Sequence, residues 1–221
     1  MSEAMILYGH PFSSYTWKAL IAFYETDTPV EFRELDPRAE GHYAELKRLW
    51  PLGKFPLVVD GDTVLWEASV VVEHVHLAAG ARTALLPFDP AATLEVRKLD
   101  RVFDSYVMNV MQVIVGDALR PADSRDPYGV QKAREGLDAI YAWLDDHLAE
   151  IWAAPGEAFT LADCAAAPSL FYADWAHPIP ERFARLRAYR ARLLARPSVS
   201  RCVEAARPYR AYFPLGAPDR D

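Results

Sequence analysis

The chain has 221 residues, of which 52% are apolar and 25% charged, and its formal net charge is −7 at neutral pH. This is the composition of an ordinary globular protein with a sizeable core, and the excess of acidic residues argues against a nucleic-acid-binding surface. No run approaches the ~18 apolar residues of a membrane span, no signal peptide opens the chain, and its two cysteines lack metal-ligand spacing, so we expect a reduced cytoplasmic protein.

The first 83 residues alternate between strand and helix patterns. Short apolar or alternating runs predict strands, and amphipathic segments predict helices. In chain order we expect a strand at 5–9, a helix at 14–26, a strand at 30–35, a helix at 39–50, a hairpin of strands at 57–60 and 63–66, and a helix at 67–79. A strand–helix–strand unit followed by a hairpin predicts a mixed sheet of four strands.

A linker with two prolines separates this part from a helical remainder. Pro87 and Pro90 favour an extended path through residues 84–92. Beyond them we expect helices at 93–117, 128–151, 160–175, 181–195 and 198–206. The prediction is therefore an α/β domain at 1–83, a linker at 84–92 and an all-helical domain at 93–221.

Thr160 and Asp163 have the spacing of a capping box at the start of a helix. We therefore assign both residues to helix structure rather than to chemistry, and loss of the Thr160 cap should cost ~1 kcal/mol. Pro168 falls inside the same helix and is expected to kink it.

Residues 53–69 resemble a receptor for a short anionic peptide. A proline at the start of a strand cannot complete a ladder, and a cis bond between Phe55 and Pro56 would leave the Phe55 backbone free to pair with an extended peptide. Residues 67–69 (Glu-Ala-Ser) then open a helix whose unpaired N–H groups suit a carboxylate.

Ser13 and Ser14 stand where the first strand gives way to the first helix. Serine is a favoured N-cap, so one of them could serve the helix alone. The alternative is that a hydroxyl at this position donates to a ligand thiolate. Lowering a thiol pKa from ~8.5 to ~6.5 requires ~2.7 kcal/mol, and a hydrogen bond to a charged group (~1.5–3 kcal/mol) plus the helix dipole (~0.3–1 kcal/mol) is sufficient.

Taken together, these motifs resemble the cytosolic glutathione transferases over nearly the whole chain. The features are, in order, Leu7-Tyr8, Ser13-Ser14, Trp17-Lys18, the run 51–57 (Pro-Leu-Gly-Lys-Phe-Pro-Leu), 67–69 (Glu-Ala-Ser), the Leu-Leu-Pro…Asp-Pro linker, and Thr160 with Asp163. The resemblance implies a thioredoxin-like N-terminal domain that binds glutathione as co-substrate, an all-α C-terminal domain that holds much of the electrophile site, a homodimer, and no metal. The valines at 70–72 and 75 put apolar residues on more than one side of the third helix, so we expect the dimer to be built on the third and fourth helices.

The resemblance also implies roles for individual residues. Ser13 matches the catalytic serine of the serine-type classes, with Ser14 and Tyr8 as alternatives, and the Ser-Ser pair is zeta-like except that Tyr15 stands where that class has Cys. Cys164 and Cys202 lie far from this helix start in sequence, which argues against a cysteine-type mechanism. The glutathione-binding residues would be Phe55, Pro56, Glu67, Ala68, Ser69, Lys54, His42 and Arg38.

Ala68 departs from the Ser or Thr that the family usually has there, which predicts weak glutathione binding unless Ser69 supplies the hydroxyl. For the electrophile pocket we expect Phe12, Tyr106, Val110 and Met111, although core packing explains Tyr106 and Val110 equally well. The predicted activity is conjugation of glutathione to small hydrophobic electrophiles. The alternatives are glutathione-dependent cis–trans isomerisation and a binding module that has lost catalysis.

Overall fold

The computed structural model describes residues 4–36, 40–80 and 83–221. Its first part contains four strands and three helices. They are β1 (Met5–Gly9), α1 (Ser14–Glu25), β2 (Val30–Glu34), α2 (Glu40–Leu49), β3 (Leu57–Asp60), β4 (Thr63–Trp66) and α3 (Ala68–Ala78).

The sheet has the order β2-β1-β3-β4. Strands β1 and β2 are parallel, whereas β3 is antiparallel to both β1 and β4. The crossover helix α1 explains the parallel pair, because parallel neighbours cannot be joined by a tight turn. The predicted mixed sheet of four strands is confirmed, and the three strand ranges 5–9, 57–60 and 63–66 match residue for residue.

Side chains of β1 alternate between two apolar clusters, as the two-residue period of a strand requires. Leu7 belongs to the large core that α1, α3 and the helical part share. Its neighbour Tyr8 points into a smaller cluster with Leu35, Leu46 and Leu57, where Leu46 comes from α2. The face on which each β1 side chain lies is therefore set by its position in the strand.

The rest of the described chain is helical. Its elements are α4 (Pro90–Val102), a π-helical segment (Phe103–Met108), α5 (Asn109–Ala118), a 3-10 turn (Ala122–Ser124), α6 (Pro127–His147), α7 (Leu161–Ala176), α8 (Ala184–Leu194), α9 (Pro197–Ala206) and a 3-10 segment (Arg207–Tyr212). Helix α7 is buried along its whole length and packs against α1, α4 and α8, so it forms the centre of this part.

Three predicted helix boundaries were wrong by three residues or more, one of them the start of α8, which was expected near residue 181 and is found at Ala184. Helix α4 begins at Pro90, inside the predicted linker, because the Asp89 carboxylate caps it by accepting from the Ala92 N–H at 2.7 Å and proline suits the first helical position. The predicted helix 128–151 ends at His147, since Leu148 leaves the helical region of backbone space. The predicted helix 93–117 is confirmed as one helical path, but the π-helical segment interrupts it.

Thr160 caps α7 as expected. Its backbone N–H donates to Asp163 Oδ2 at 2.8 Å, and its hydroxyl donates to the same atom at 2.9 Å. Asp163 is fully buried, where it also accepts from the Tyr189 hydroxyl at 2.7 Å, and Pro168 lies inside α7 as predicted. The assignment of this motif to helix structure is therefore supported by its contacts.

The loop between β1 and α1 is held by both parts of the fold. The Tyr172 hydroxyl of α7 donates to the Phe12 carbonyl at 2.9 Å, and the Trp17 indole of α1 donates to the Pro11 carbonyl at 2.6 Å. These bonds fix the backbone immediately before Ser13 and so give the start of α1 a defined position beside the helical part.

Within the described ranges, no helix combines the length and the apolar content that crossing a bilayer requires.

Candidate active site

Two clefts meet at the start of α1 and share Tyr15, Lys54 and Phe55. The peptide cleft, as we call the first, is lined by Tyr15, Trp50, Lys54, Phe55, Pro56, Trp66, Glu67, Ala68, Arg101, Asp104, Ser105 and Asn109. The apolar cleft is lined by Phe12, Ser13, Ser14, Tyr15, Gly53, Lys54, Phe55, Met111, Gln112, Val115, Leu119, Tyr172, Tyr212, Phe213 and Pro214. Its volume of about 640 Å³ is in the range of small-molecule sites.

Ser13 is the N-cap of α1 and lines the apolar cleft. Its backbone is extended, and its Oγ accepts from the Thr16 N–H at 3.3 Å. Because the cap uses Oγ as an acceptor, the hydroxyl proton stays available, and no acceptor among the described residues takes it. Ser13 therefore combines a helix N-terminus with a free O–H donor at the cleft wall.

Ser14 lines the same cleft but is buried as the first residue of α1. Tyr8, the other alternative for thiol activation, lines neither cleft. Its hydroxyl accepts from Arg33 Nη1 at 2.7 Å on the α2 side of the sheet, and burial raises the pKa of its phenol. Strand alternation is the physical reason for this placement.

The Phe55–Pro56 bond is cis, as expected, and both residues line the peptide cleft. Opposite them, Glu67 precedes α3 with a φ of 68°. A non-glycine residue in this left-handed region carries ~1–3 kcal/mol of backbone strain, which typically persists where a functional site requires it. The first intrahelical bond runs from the Val71 N–H to the Glu67 carbonyl, so the N–H groups before Val71 have no partner within α3.

A buried charge cluster lies behind the peptide cleft. Lys18 of α1, which is fully buried, contacts Asp100 Oδ1 at 2.5 Å and Asp104 Oδ2 at 2.7 Å. Arg101 Nη2 reaches the same two carboxylates, each at 2.6 Å. Asp104 belongs to the π-helical segment, a kind of distortion that frequently occurs at functional sites. The cluster ties α1 to α4 across the clefts.

Ser69 belongs to this cluster and not to the cleft wall. Its hydroxyl donates to Asp100 Oδ2 at 2.9 Å and accepts from Lys18 Nζ at 2.8 Å and from Arg101 Nη2. The single proton of this hydroxyl is therefore already used. Hydrogen bonds hold this side chain in the cluster, an arrangement that does not favour the expectation that Ser69 replaces the hydroxyl missing at Ala68.

The other predicted glutathione-binding residues are placed differently. Lys54 lines both clefts. His42 is exposed on α2, with its Nδ1 atom 3.0 Å from the Glu34 carbonyl, and does not line either cleft. Arg38 lies outside the described residues.

Two of the four residues predicted for the electrophile pocket, Phe12 and Met111, line the apolar cleft. Tyr106 is 59% exposed and Val110 packs on the core near Gly136 of α6, so neither reaches the cleft. Tyr106 belongs to the π-helical segment, which alters the helical phase before Met111 in a way that a regular 3.6-residue period could not predict.

Several cleft residues were not predicted from the sequence. Tyr15 stands at the junction of the two clefts, where its hydroxyl donates to Asn109 Oδ1 at 2.9 Å. Burial, followed by the charge of Asp104, raises the pKa of Tyr15 to about 12. Trp50 and Trp66 stack with ring centroids 4.7 Å apart and form one wall of the peptide cleft.

Neither cysteine is placed for chemistry. Both are free and buried, and burial raises the pKa of each thiol. Neither lines the two clefts. The described ranges also contain no group of three or more His, Cys, Asp or Glu side chains that could hold a metal ion.

Comparison with known proteins identifies the family. Residues 3–76 match the model of the glutathione S-transferase N-terminal domain, and residues 124–192 match that of the C-terminal domain. Glutathione S-transferase GstB of Escherichia coli is 27% identical over 170 residues, which cover 75% of this chain and 81% of GstB. A probable maleylacetoacetate isomerase of Vibrio cholerae is 24% identical and covers 93% of this chain and 98% of its own.

The fold comparison agrees. A glutathione S-transferase of Methylobacterium radiotolerans, solved in complex with glutathione sulfonate, superposes with a TM-score of 0.78 at 24% identity, covering 91% of this chain and 95% of its own. The N-terminal and C-terminal family models match this chain in that order, and the fold of the chain matches that of a solved glutathione S-transferase. The chain belongs to the glutathione S-transferase family.

Proposed function

We propose that this protein binds glutathione in the peptide cleft and conjugates its thiol to a small hydrophobic electrophile held in the apolar cleft. The observation that carries the proposal is the shared edge of the two clefts. An extended tripeptide paired with Phe55 would present its central cysteine at this edge, within the region that Ser13 faces.

In this proposal Ser13 is the catalytic residue. Its hydroxyl donates to the thiolate, and the start of α1 adds the favourable end of a helix dipole. The protein then acts through orientation and electrostatic stabilisation, with the thiolate as the attacking group and the apolar cleft excluding water. Phe12 and Met111 contact the electrophile, and Lys54 attracts the glycyl carboxylate of the tripeptide.

Calorimetric titration with glutathione, followed by a conjugation assay with an aryl halide, tests this proposal. Wild type should bind and turn over. Ala68→Asp places a carboxylate at the first residue of α3 in the peptide cleft and should abolish binding, because it repels the ligand's own carboxylate. The matched control is Ala184→Asp, which makes the same change at the first residue of α8, outside both clefts. Binding unaffected by Ala68→Asp, or absent from wild type, would contradict the proposal.

Glutathione-dependent cis–trans isomerisation is the second candidate. The relative named as a probable maleylacetoacetate isomerase favours it, as does the pair Ser13-Ser14 at the apolar cleft. The bulky Tyr15 in place of Cys counts against it. Turnover of a maleyl substrate, without conjugation of the aryl halide, would favour the isomerase. Glutathione binding without either reaction would favour a binding module.

We also propose a homodimer through α3 and α4. Val70 and Leu77 of α3 and Leu94 of α4 are 48%, 69% and 69% exposed, and symmetric pairing would cover them. Sedimentation should give twice the chain mass of 24.9 kDa. Leu77→Asp should give a monomer, whereas Leu52→Asp, at an equally exposed leucine (67%) before β3, should not. A wild-type monomer at micromolar concentration would contradict the dimer.

The cellular location and the domain limits complete the proposal. Two free, buried cysteines suit a reducing cytoplasm. The limits 1–83 and 93–221 divide both clefts between the two domains, with eight of the twelve residues of the peptide cleft in the first and eight of the fifteen residues of the apolar cleft in the second, although α4 already begins at Pro90.

A further inference from the structure

Arg101 is the member of the buried charge cluster that reaches furthest into solvent. Its side chain is 53% exposed, whereas those of Lys18 and Asp100 are at most 2% exposed. It also lines the peptide cleft, together with Ala68. Arg101 thus connects the buried cluster with the site where the proposed ligand would lie.

The hydrogen bonds of Arg101 leave part of its guanidinium unused. Nε donates to Asp100 Oδ2 at 2.9 Å, and Nη2 donates to Asp100, Asp104 and the Ser69 hydroxyl. Among the described residues, no acceptor pairs with Nη1. A guanidinium offers five donors in a rigid plane, so anchoring Nε and Nη2 holds the two N–H groups of Nη1 in a fixed direction from which they can donate to a ligand carboxylate.

The contact with Ser69 places this guanidinium at the start of α3. Ser69 directly follows Ala68, and the backbone N–H groups of this first turn have no partner within the helix. An anion bound by these N–H groups would lie beside a cation from α4. Lys54, the other cation lining this cleft in the described part of the chain, directly precedes Phe55 in sequence.

From this arrangement we infer that Arg101 binds the α-carboxylate of the γ-glutamyl unit and compensates for the hydroxyl that Ala68 lacks. The inference rests on the proposed function, because it names the group that recognises one end of the same ligand. It assigns Arg101 to ligand binding, with Asp100 and Asp104 as the residues that position it. Activation of the glutathione thiol by Ser13 does not depend on Arg101.

Calorimetry with two ligands on four proteins tests the inference. The ligands are glutathione and an analogue that lacks the α-carboxylate, γ-aminobutyryl-cysteinyl-glycine. The proteins are wild type, Arg101→Gln, Arg101→Lys and Arg97→Gln. Arg97 is a matched control, because it also joins α4 to α3, through a two-bond pair with Glu73, and does not line the cleft.

Arg101→Gln should bind glutathione ~10-fold more weakly than wild type, while binding the analogue as wild type does. Arg97→Gln should bind both ligands as wild type does. Arg101→Lys keeps the charge of the cluster but loses the rigid plane of donors, so its affinity for glutathione should lie between those of Arg101→Gln and wild type, and it should bind the analogue as wild type does. Because the two ligands are compared on one protein, damage to the fold would weaken both equally.

Equal weakening of both ligands by Arg101→Gln, or no weakening of either, would overturn the inference and leave the proposed function standing. Failure of wild type to bind glutathione would overturn the proposed function, and this inference with it. The two failures are therefore distinguished by the wild-type titration.

Discussion

Removing the hydroxyl of Ser13 should slow conjugation by an amount that the geometry of the site allows us to estimate. Because the Oγ atom accepts from the Thr16 N–H at 3.3 Å, its proton can be donated to the ligand thiolate without giving up the cap. A hydrogen bond to a charged group contributes ~1.5–3 kcal/mol, which corresponds to a ~10- to 150-fold loss of rate at saturating glutathione. The helix dipole (~0.3–1 kcal/mol) is retained in the variant.

Two substitutions separate the chemical role of Ser13 from its role as N-cap. Ser13→Ala removes the cap, at ~1 kcal/mol of stability, whereas Ser13→Gly costs only a few tenths of a kcal/mol. Both remove the donor, so both should show the same loss of rate despite different melting temperatures. Ser14→Ala should keep the wild-type rate. The reasoning is refuted if Ser13→Gly conjugates at the wild-type rate, or if Tyr8→Phe abolishes turnover.

Three further predictions concern the peptide cleft and the charge cluster beside it. Ala68→Ser should tighten glutathione binding roughly five- to tenfold in calorimetry without changing the pH dependence of the rate, because the added hydrogen bond is remote from the thiol; unchanged affinity would count against the predicted geometry. Lys18→Met should lower the free energy of unfolding in urea by ~3–5 kcal/mol, since Arg101 alone is then left to pair with two carboxylates and one buried negative charge is uncompensated, whereas Lys98→Met at an exposed ion pair should change it by less than ~0.5 kcal/mol. Tyr15→Phe should leave the midpoint of the rate–pH profile between pH ~6 and ~9 unchanged, because a phenol with a pKa of about 12 stays protonated there, and a shifted midpoint would show that Tyr15 titrates with the thiol.

Sequence patterns predicted the elements of the fold that depend on local periodicity and turn chemistry. The hairpin around Gly61, the strand ranges and the Thr160 cap depend on neighbours in sequence, and the structure matches them. The start of α4 was predicted three residues late because Asp89 and Pro90 were interpreted as a linker, although Asp before Pro is also a helix-start pattern.

The candidate site was harder to predict because it depends on contacts between distant parts of the chain. Ser13 and Phe55 lie at the clefts, as the motifs indicated. The Ser69 side chain does not, because it is hydrogen-bonded to Lys18 and Asp100, and these bonds join residues more than 30 positions apart. The position of Tyr212 also depends on contacts between distant parts of the chain, because it lines the apolar cleft although it lies near the end of the sequence.

The π-helical segment that interrupts a predicted helix is a second feature that could not be predicted from the sequence. No pattern in residues 93–117 marks the distortion at Phe103–Met108, yet it sets which side chains of this path face the clefts. Asp104 therefore lies at the peptide cleft, while Tyr106 faces solvent.

The most direct test of the account is the pKa of the glutathione thiol when it is bound to the wild-type protein. The ultraviolet absorbance of the thiolate, followed against pH at saturating glutathione, gives this value without any second substrate. A hydroxyl donor at a helix N-terminus should lower the thiol pKa from ~8.5 to ~6.5. Saturable binding with a thiol pKa that stays near ~8.5 would contradict the claim that the start of α1 activates the thiol.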